Sequence, residues 1–392
     1  MSVRSICSNI YYVGTNDWDR QVFDALVPLP LGTSYNSFIV KGSEKTAIID
    51  TSEPYMEKEY FEKLAELNLS GVDYVVSAHA EQDHSGLLPK MLERYPECKV
   101  VTNAKCKDLL VAFFDIPEDK FMVVGQGDSL SLGDKTLEFI MAPWVHWPDT
   151  MFTYAKEDKV LFTTDFFGAH IADSDMFVTD KCRAYDAAKR YYAQIMMPFR
   201  NNVKTNLKKA QELDVKIIAP SHGQVHNDPS FIMDAYSDWS GDKTKNEVVI
   251  PFVSMHGSTK KMVDYLTDKL IQEGITVKPF NLDTADTGEL AMALVDATTI
   301  VLGSPAVLVG AHPKAVYAAY LVNALRPKTK VISLIGSFGW GCKLIDNVKG
   351  LICNIKADIL DPVVVKGIPR EGGFEKLDRL AGEIKEKHNE YV

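Results

Sequence analysis

Cysteine is sparse in this sequence, and long apolar runs are absent. The six cysteines are scattered along 392 residues without a Cys-x-x-Cys pair. This spacing excludes rubredoxin-type and zinc-ribbon sites and is typical of free thiols in a reducing cytoplasm. No segment reaches the roughly 20 apolar residues that span a bilayer. The residues up to Val13 contain one Arg and no long apolar run, so neither a signal peptide nor a membrane anchor is predicted.

Positive charge is also scarce. Lys and Arg number 43 against 53 Asp and Glu, which gives a net charge of −10. Such a chain lacks the basic surface that binding to nucleic acid or to an anionic membrane needs. Its 46% hydrophobic and 24% charged residues are ordinary for a soluble globular protein. A chain of 392 residues exceeds what one hydrophobic core usually serves, so two domains are expected.

The first 240 residues alternate short strand-like runs with longer amphipathic ones. The early runs look like hairpin strands and not like regular βαβ units, which predicts two mixed sheets covered by helices. Strands are expected at Ser37–Val40, Thr46–Asp50, Val72–Ser77, Lys99–Thr102, Thr136–Met141, Met151–Tyr154, Val160–Thr164 and Val215–Ala219, and helices at Met56–Leu67, His84–Tyr95, Ala184–Leu213 and Pro229–Trp239.

The pattern changes at residues 240–247, which are polar and contain a chain breaker. We therefore expect one domain over residues 1–243 and a second over residues 244–392. The second segment alternates strands with helices, which predicts a doubly wound, five-stranded parallel sheet with helices on both faces. Its expected strands are Val248–Val253, Thr276–Asn281, Thr299–Leu302, Lys330–Ile335 and Ile359–Val365.

Four residues of metal-ligand type, His79, Glu81, Asp83 and His84, end an apolar run. On extended backbone, side chains two residues apart share a face, so His79, Glu81 and Asp83 are expected to project to one side. His84 is expected to open the following helix. A polar turn with Asp83 as a helix cap would not need two histidines and a second carboxylate. The pattern therefore favours ligands that are divided between two metal ions.

Three further ligand-type residues, His146, Asp165 and His222, lie at later strand ends. A single His after a strand is more often a satisfied surface or core residue, so each of these signals is weak alone. Together with the first cluster they supply the separated ligands of a two-metal pocket. His170 and His226 lie near the same motifs, and we interpret both as non-ligands.

Three loops of the second segment have the composition of a phosphate and ring-binding site. The first follows the strand Val248–Val253 and opens a helix, where backbone N–H groups and hydroxyls bind phosphate. The other two follow later strands, on the edge where such sheets bind ligands. Their glycines allow close approach to a flat ring, and an aromatic side chain could stack on it. The loop residues are Ser254, Met255, His256, Gly257, Ser258 and Thr259; Ser304, Pro305, Ala306 and Val307; and Ser337, Phe338, Gly339, Trp340 and Gly341.

The motif His-x-Glu-x-Asp-His-Ser-Gly, followed by His146, Asp165 and Ser-His-Gly at His222, resembles the metallo-β-lactamase-like module of flavodiiron proteins. The three loops resemble the FMN loops of flavodoxins and match the same family. The resemblance implies an N-terminal metallo-β-lactamase-like αββα sandwich followed by a flavodoxin-like domain. Hydrolases of the first fold usually have His where Glu81 stands. A carboxylate beside imidazoles suits iron that changes oxidation state, whereas imidazole-rich sites suit zinc.

The resemblance also assigns the ligands. It implies that one iron is held by His79, Glu81, His146 and Asp165, and the other by Asp83, His84, Asp165 and His222, with Asp165 as the bridge. For His84 an orienting role is the alternative, because its counterpart does not coordinate iron in every family member. The three carboxylates and a bridging hydroxide would bring the charge of two ferrous ions near neutrality.

The activity that the resemblance implies is reduction of dioxygen to water. FMN would accept electrons from a separate donor, either rubredoxin or a reduced deazaflavin coenzyme, and deliver them to the di-iron centre. Nitric oxide reduction to nitrous oxide at the same centre is the alternative. In the family, the flavin of one subunit lies next to the irons of another, which implies a head-to-tail homodimer or dimer of dimers.

Two functions of other classes compete with this interpretation. One is a zinc-dependent hydrolase fused to a redox-sensing flavodoxin, against which Glu81 counts. The other is an electron-transfer flavoprotein whose first domain only supports oligomerisation. Metal content, and the effect of replacing Asp165, would separate these functions from an oxidase.

Overall fold

The computed structural model describes residues 2–392 and divides the chain into two compact units. The first unit ends at Ser240 and the second runs from Gly241 to Val392. The boundary expected from the sequence, between residues 243 and 244, lies slightly further along the chain. Over the described residues, no helix combines the length and apolar character needed to cross a membrane.

Within its described residues, the first unit consists of short strands and seven α-helices. A π-helical turn (Tyr192–Met196) and 3₁₀ turns (Pro54–Met56, Glu118–Lys120, Met197–Phe199) supplement them. The strands are β1 (Arg4–Cys7), β2 (Ile10–Tyr12), β3 (Thr15–Asp17), β4 (Val22–Phe23), β5 (Val27–Pro28), β6 (Thr33–Tyr35), β7 (Phe38–Lys41), β8 (Thr46–Ile49), β9 (Tyr74–Val76), β10 (Lys99–Thr102), β11 (Phe121–Val123), β12 (Ser129–Ser131), β13 (Thr136–Met141), β14 (Met151–Ala155), β15 (Val160–Phe162) and β16 (Ile217–Ala219). The helices are α1 (Glu57–Glu66), α2 (Gln82–Ser85), α3 (Leu88–Arg94), α4 (Ala104–Phe113), α5 (Lys181–Tyr191), α6 (Arg200–Gln211) and α7 (Pro229–Ser240).

Two mixed sheets form the centre of this unit, as the sequence predicts. One has the order β1-β2-β7-β8-β9-β10-β11, and its strands are parallel from β8 onward. The other runs from β12 to β16 in chain order, with only its last pair parallel. Phe38 and Val76 of the first sheet share a core with Phe139 and Phe162 of the second, so the sheets pack face to face. The outer face of the first sheet is covered by α1, α3 and α4.

Two of the helices expected in this unit are interrupted. The helix expected over Ala184–Leu213 is two helices, α5 and α6, joined by the π-helical and 3₁₀ turns around Pro198. Proline has no N–H to donate and clashes with the preceding turn, which ends the regular helix. The helix expected over His84–Tyr95 is also split, because α2 ends at Ser85 and α3 begins at Leu88.

The second unit is a doubly wound sheet, as predicted. Its parallel strands follow the order β18-β17-β19-β21, and two short strands, one after the other, occupy the fifth position beside β21. Pro362 lies between these two strands, so the single strand expected over Ile359–Val365 is broken. The elements are β17 (Lys245–Phe252), β18 (Thr276–Asn281), β19 (Ala297–Val307), β20 (Gly310–Ala311), β21 (Val331–Phe338), β22 (Asp358–Ile359), β23 (Val363–Lys366), α8 (Ser258–Gln272), α9 (Thr287–Asp296), α10 (Pro313–Leu325), α11 (Leu344–Leu351) and α12 (Glu371–Tyr391).

Candidate metal centre and ligand cleft

The predicted metal ligands of the first unit meet at one edge of the two sheets. His79 follows β9, Asp165 follows β15 and His222 follows β16, while His146 lies between β13 and β14. Because β15 and β16 are parallel, their carboxyl ends lie side by side and bring Asp165 next to His222. All seven predicted ligands converge there, in two groups.

The first group contains His79, Glu81, His146 and Asp165, whose ligand atoms all lie within 4.8 Å of one another. Glu81 Oε2 is 3.1 Å from Nε2 of His79 and 3.3 Å from Nε2 of His146. Asp165 Oδ2 is 3.4 Å and 3.2 Å from the same two nitrogens. Two carboxylates and two imidazoles therefore surround one point.

The second group contains Asp83, His84 and His222, also within 4.8 Å of one another. The other oxygen of Asp165, Oδ1, is 3.1 Å from Nε2 of His84 and 3.2 Å from Nε2 of His222. Asp83 places its two oxygens 3.3 Å and 3.2 Å from these nitrogens. Asp165 thus lies between the groups and faces each of them with one oxygen.

The division between the groups does not arise from extended backbone, so the expectation that His79, Glu81 and Asp83 share one face of a strand is wrong. Helix α2 begins at Gln82, and Glu81 precedes it with φ −58° and ψ 142°. The change from extended to helical backbone after Glu81 turns Asp83 and His84 toward His222. Both residues are buried in this helical turn.

The buried atoms of the second group fit a cation. Both oxygens of Asp83, Nε2 of His84 and Oδ1 of Asp165 are buried, and none has a hydrogen-bond partner among residues 2–392. Leaving such polar atoms unsatisfied in the interior costs free energy, and buried charges are normally paired or coordinate metals. Oxygen and imidazole nitrogen atoms around two points separated by one carboxylate suit a pair of iron ions.

Two histidines are oriented by groups that the sequence analysis missed. Nδ1 of His79 lies 3.3 Å from Oδ2 of Asp149, and Nδ1 of His222 lies 2.6 Å from the carbonyl oxygen of Ser34. When each Nδ1–H donates to its oxygen, Nε2 keeps its lone pair and faces the centre. Asp149 directly follows the Trp147-Pro148 turn, and this position next to His146 was the only sequence signal for it.

The protonation of the centre reflects its concentrated negative charge. Burial alone would lower the pKa of His146, but hydrogen bonds to Asp165 and Glu81 outweigh it and raise that pKa to about 9. The pKa of His79 is likewise raised well above its usual value, because Asp149 and Glu81 outweigh burial. Burial would raise the pKa of Asp165, yet the surrounding histidines hold it well below its usual range. Cations, whether protons or metals, are strongly favoured here.

His170 and His226 lie outside both groups. Nδ1 of His170 is 2.9 Å from Oγ1 of Thr33, and Nε2 of His226 is 3.3 Å from the carbonyl oxygen of Phe167. Burial lowers the pKa of His226 to about 4 and that of His170 well below its usual value. Both imidazoles are therefore neutral, buried side chains.

The three loops of the second unit meet in one cleft at the carboxyl edge of its sheet. Residues from all three line it, together with Gly367, which the sequence analysis missed. Among the predicted residues, the cleft is lined by Ser254, Met255, His256, Ser258, Thr259, Pro305, Ala306, Ser337, Phe338 and Gly339.

The other five predicted residues, Gly257, Ser304, Val307, Trp340 and Gly341, do not line the cleft. Part of the reason is that residues 303–307 are not a loop, because β19 continues to Val307 and pairs with β20. The buried hydroxyl of Ser304 accepts the backbone N–H of His312 at 3.1 Å. Trp340 is 78% exposed.

One end of the cleft has the geometry of a phosphate site. Helix α8 begins at Ser258, and the preceding Gly257 has a left-handed conformation, with φ +85°. This turn presents the first N–H groups of the helix, where anions are stabilised by the helix dipole. Oγ of Ser254 accepts the N–H of Lys260 at 3.2 Å, and the hydroxyls of Thr259 and Ser337 lie 3.3 Å apart.

Comparisons with known proteins agree with this architecture. Residues 33–223 match the family model "ODP family beta lactamase". The chain is 36% identical to the nitric oxide reductase of Moorella thermoacetica over 86% of each chain, and 31% identical to the coenzyme F420H2 oxidase of Methanothermobacter marburgensis over 98% of this chain and 99% of that protein.

Solved structures match the chain over its whole length. The rubredoxin oxygen:oxidoreductase of Desulfovibrio gigas matches with a TM-score of 0.95 and 28% identity, over 100% of this chain and 99% of that chain. The flavodiiron protein of Giardia intestinalis matches with a TM-score of 0.91 and 25% identity, over 100% and 98%. A relative that is more than 30% identical and aligns over almost its whole length shares the family of this chain and not only its fold. The chain belongs to the flavodiiron protein family.

Proposed function

We propose that this protein is an FMN- and di-iron-dependent oxidoreductase that reduces dioxygen to water with electrons from an external donor. The observation that carries the proposal is the position of Asp165, which faces His79 and His146 with one oxygen and His84 and His222 with the other. This pair of sites occurs in a chain that also has, on a flavodoxin-like sheet, a cleft with one end shaped as a phosphate site. The relatives described above are named as oxidases and reductases, which favours redox chemistry over hydrolysis.

The residues of the centre have distinct roles in this proposal. His79, Glu81 and His146 would hold one iron, Asp83, His84 and His222 would hold the other, and Asp165, which faces both groups, would contribute to each. Asp149 and the carbonyl of Ser34 keep the imidazoles of His79 and His222 in the tautomer that exposes Nε2. When bound, two ferrous ions and reduced FMN supply the four electrons that reduction of one dioxygen molecule requires.

The second unit binds and orients the flavin. The N-terminus of α8 and the hydroxyls of Ser254, Ser258 and Thr259 hold the phosphate group, because oriented N–H and O–H donors stabilise a dianion. Phe338, which also lines the cleft, offers an aromatic face to the flavin ring.

The proposal includes an assembly and a separate donor. Exposed apolar side chains occur both in the first unit, at Trp18, Leu26 and Trp144, and beside the cleft, at Leu308 and Trp340. Aromatic residues, tryptophan among them, are enriched at protein interfaces. We infer a head-to-tail homodimer, or a dimer of such dimers, that brings the flavin of one subunit to the irons of the other. Rubredoxin and a reduced deazaflavin coenzyme are the donors to test.

The deciding experiment is anaerobic reduction of the FMN- and iron-loaded protein by each donor, followed by mixing with dioxygen. We expect rapid flavin reoxidation and oxygen uptake without accumulation of hydrogen peroxide. Asp165→Ala should abolish oxygen uptake and lower iron content while FMN is retained. Two zinc ions per chain, with ester hydrolysis and no oxygen uptake, would contradict the proposal. Unchanged turnover in Asp165→Ala would instead indicate an electron-transfer flavoprotein.

Nitric oxide is the second candidate substrate, because the relative that is 36% identical is named a nitric oxide reductase. Its reduction to nitrous oxide needs one electron per molecule, which the same centre could supply. The test is to mix the reduced protein with nitric oxide in place of dioxygen and to measure nitrous oxide by gas chromatography. Comparing this rate with the rate of oxygen uptake ranks the two substrates.

A further inference from the structure

A pair of tyrosines connects the second group of metal ligands with the protein surface. Tyr35 is completely buried at the end of β6, and its ring lies edge-on to His222 with 5.9 Å between the ring centroids. Tyr55 lies in the 3₁₀ turn after β8 and is 56% exposed. The two tyrosine rings are 6.2 Å apart, and their hydroxyl oxygens are 2.9 Å apart. An aromatic path of two short steps therefore leads from a metal ligand to solvent.

The hydrogen bonds around this pair have only one consistent order. The guanidinium of Arg20, which can only donate, lies 2.8 Å from both tyrosine oxygens. Tyr55 donates its single O–H to the carboxylate of Asp17. The oxygen of Tyr55 must therefore accept the O–H of Tyr35. A directed chain results, in which each proton can move from buried Tyr35 to Tyr55 and on to Asp17.

The backbone holds this chain in place. Strands β3 and β6 pair antiparallel, with Thr15 opposite Tyr35 and Asp17 opposite Thr33. The second oxygen of Asp17, Oδ1, accepts the N–H groups of Asp19 and Arg20 at 3.2 Å and 3.1 Å. Asp17 is thus fixed as an acceptor for Tyr55. Oxidation of a phenol requires an acceptor for its proton, and both tyrosines have one.

We propose that Tyr35 and Tyr55 form an oxidisable pair that carries one-electron oxidising equivalents from the metal centre to the surface. The proposal rests on the proposed function, because dioxygen supplies the oxidant. Complete reduction of dioxygen needs four electrons, and a centre whose external donor is exhausted holds fewer. The pair then protects buried ligands such as His222 from the oxidant left at the centre.

The steps balance in electrons and protons. Tyr35 gives one electron to the oxidant at the centre, while its proton passes to Tyr55 and the proton of Tyr55 passes to Asp17. Tyr55 then returns one hydrogen atom to Tyr35 and becomes a neutral phenoxyl radical at the surface. A small thiol restores Tyr55 by donating a hydrogen atom, and two thiyl radicals combine into a disulfide. Asp17 releases its proton to solvent.

The test uses the FMN- and iron-loaded protein, reduced with a limiting amount of dithionite and mixed with dioxygen in the presence of a nitrone spin trap. Peptide mass spectrometry should locate the trap adduct on Tyr55. Freeze-quench electron paramagnetic resonance on protein with ring-deuterated tyrosine should show a narrowed tyrosyl signal, whereas a flavin semiquinone signal would not change. Excess donor should suppress the adduct.

Three substitutions separate a redox role from a structural one. Tyr35→Phe keeps the buried ring, and Asp17→Asn keeps both tyrosines but removes the charged proton acceptor. Each should reduce the Tyr55 adduct to background while iron and FMN content stay at wild-type levels. The matched control is Tyr12→Phe, because Tyr12 is also buried but its ring packs edge-on against Phe38 and not against a predicted ligand. It should retain the adduct.

Two negative results are distinguishable. Oxygen uptake without a Tyr55 adduct, or an adduct that persists in Tyr35→Phe, would overturn the inference and leave the proposed function intact. Absence of oxygen uptake by the reduced wild-type protein would overturn the proposed function and the inference together.

Discussion

Nε2 of His84 lies 3.1 Å from Oδ1 of Asp165, on the side of the carboxylate that also faces His222. The sequence left His84 with two possible roles, coordination and orientation of a neighbour. Its buried Nε2 faces this oxygen of Asp165 and, at 3.3 Å, an oxygen of Asp83, but its geometry makes a hydrogen bond with neither over residues 2–392. An orienting residue would use this nitrogen to bind a neighbour, so the geometry favours coordination.

His84→Ala should therefore remove mainly the iron of the second group. We expect iron content to fall from two ions per chain toward one, because Asp83, His222 and Asp165 alone form an incomplete site. FMN content should not change. Iron analysis by plasma mass spectrometry, together with flavin absorbance, checks this. His226→Gln is the control, since that buried imidazole belongs to neither group. Two retained irons in His84→Ala would show that His84 is not a required ligand.

Asp149→Asn should weaken metal binding without removing a ligand. The substitution keeps the size of the side chain but removes the charged acceptor for Nδ1–H of His79. Loss of such an outer partner typically lowers metal affinity about 10- to 100-fold. Competition with a chelator of known affinity measures the change. Asp128→Asn is the matched control, because Asp128 also accepts a backbone N–H, from Gly125, but lies in a distant exposed turn.

Metal binding should release protons at neutral pH. In the metal-free centre, hydrogen bonds to Asp165 and Glu81 outweigh burial and raise the pKa of His146 to about 9, so this imidazole is protonated at pH 7. Coordination requires the neutral form, so iron must displace the proton. Affinity should therefore increase as pH rises from 7 toward 9. Anaerobic calorimetric titration in two buffers with different ionisation enthalpies measures the released protons. Equal heats in both buffers would contradict this expectation.

The sequence predicted which residues at the strand ends would come together as metal ligands, because the carboxyl ends of parallel strands meet at one edge of a sheet. Asp165 after β15 and His222 after β16 are an example. The two-group arrangement could not be derived from strand geometry, because it depends on the turn into α2 after Glu81, where strand alternation no longer applies. The role of Ser34 in orienting His222 could not be predicted from the sequence, because Ser34 acts through its backbone carbonyl, which any residue type provides.

In the second unit, too, the sequence predicted the features that depend on local patterns. Its alternation of strands and helices and the glycine turn before α8 come from local patterns, which the sequence carries. The expectation of a loop at residues 303–307 is wrong for a tertiary reason. The glycine and proline in that stretch indicate a loop, but pairing with β20 extends β19 through it.

Gly257→Ala should weaken FMN binding through the backbone. Gly257 has φ +85°, and a methyl group there would meet no atom within 4 Å, so the substitution is limited by conformation and not by space. The left-handed conformation costs a non-glycine residue roughly 1–2 kcal/mol, which corresponds to about a 5- to 30-fold loss of affinity if the phosphate turn must keep it. Fluorescence titration of the FMN-free protein measures the dissociation constant. Gly350→Ala in α11, with no positive φ and no close neighbour, should bind FMN normally.

Acid should destabilise the first unit through His226. Burial lowers the pKa of this imidazole from 6.5 to about 4, so the folded state holds it neutral while the unfolded chain takes up a proton. Its contribution to the free energy of unfolding is complete above pH 6.5 and is lost as pH falls toward 4. The free energy of unfolding should be lower by about 2 kcal/mol at pH 5 through this group alone.

His226→Phe should lower the free energy of unfolding by about 1 kcal/mol at pH 7, because the carbonyl of Phe167 loses its partner. At pH 5 the variant should be as stable as the wild type or more stable, because phenylalanine takes up no proton on unfolding. Urea unfolding followed by tryptophan fluorescence tests this, since four of the five tryptophans lie in the first unit. His388→Phe in the second unit, where burial also lowers the pKa to about 4, is the control and should leave the pH dependence of this transition unchanged.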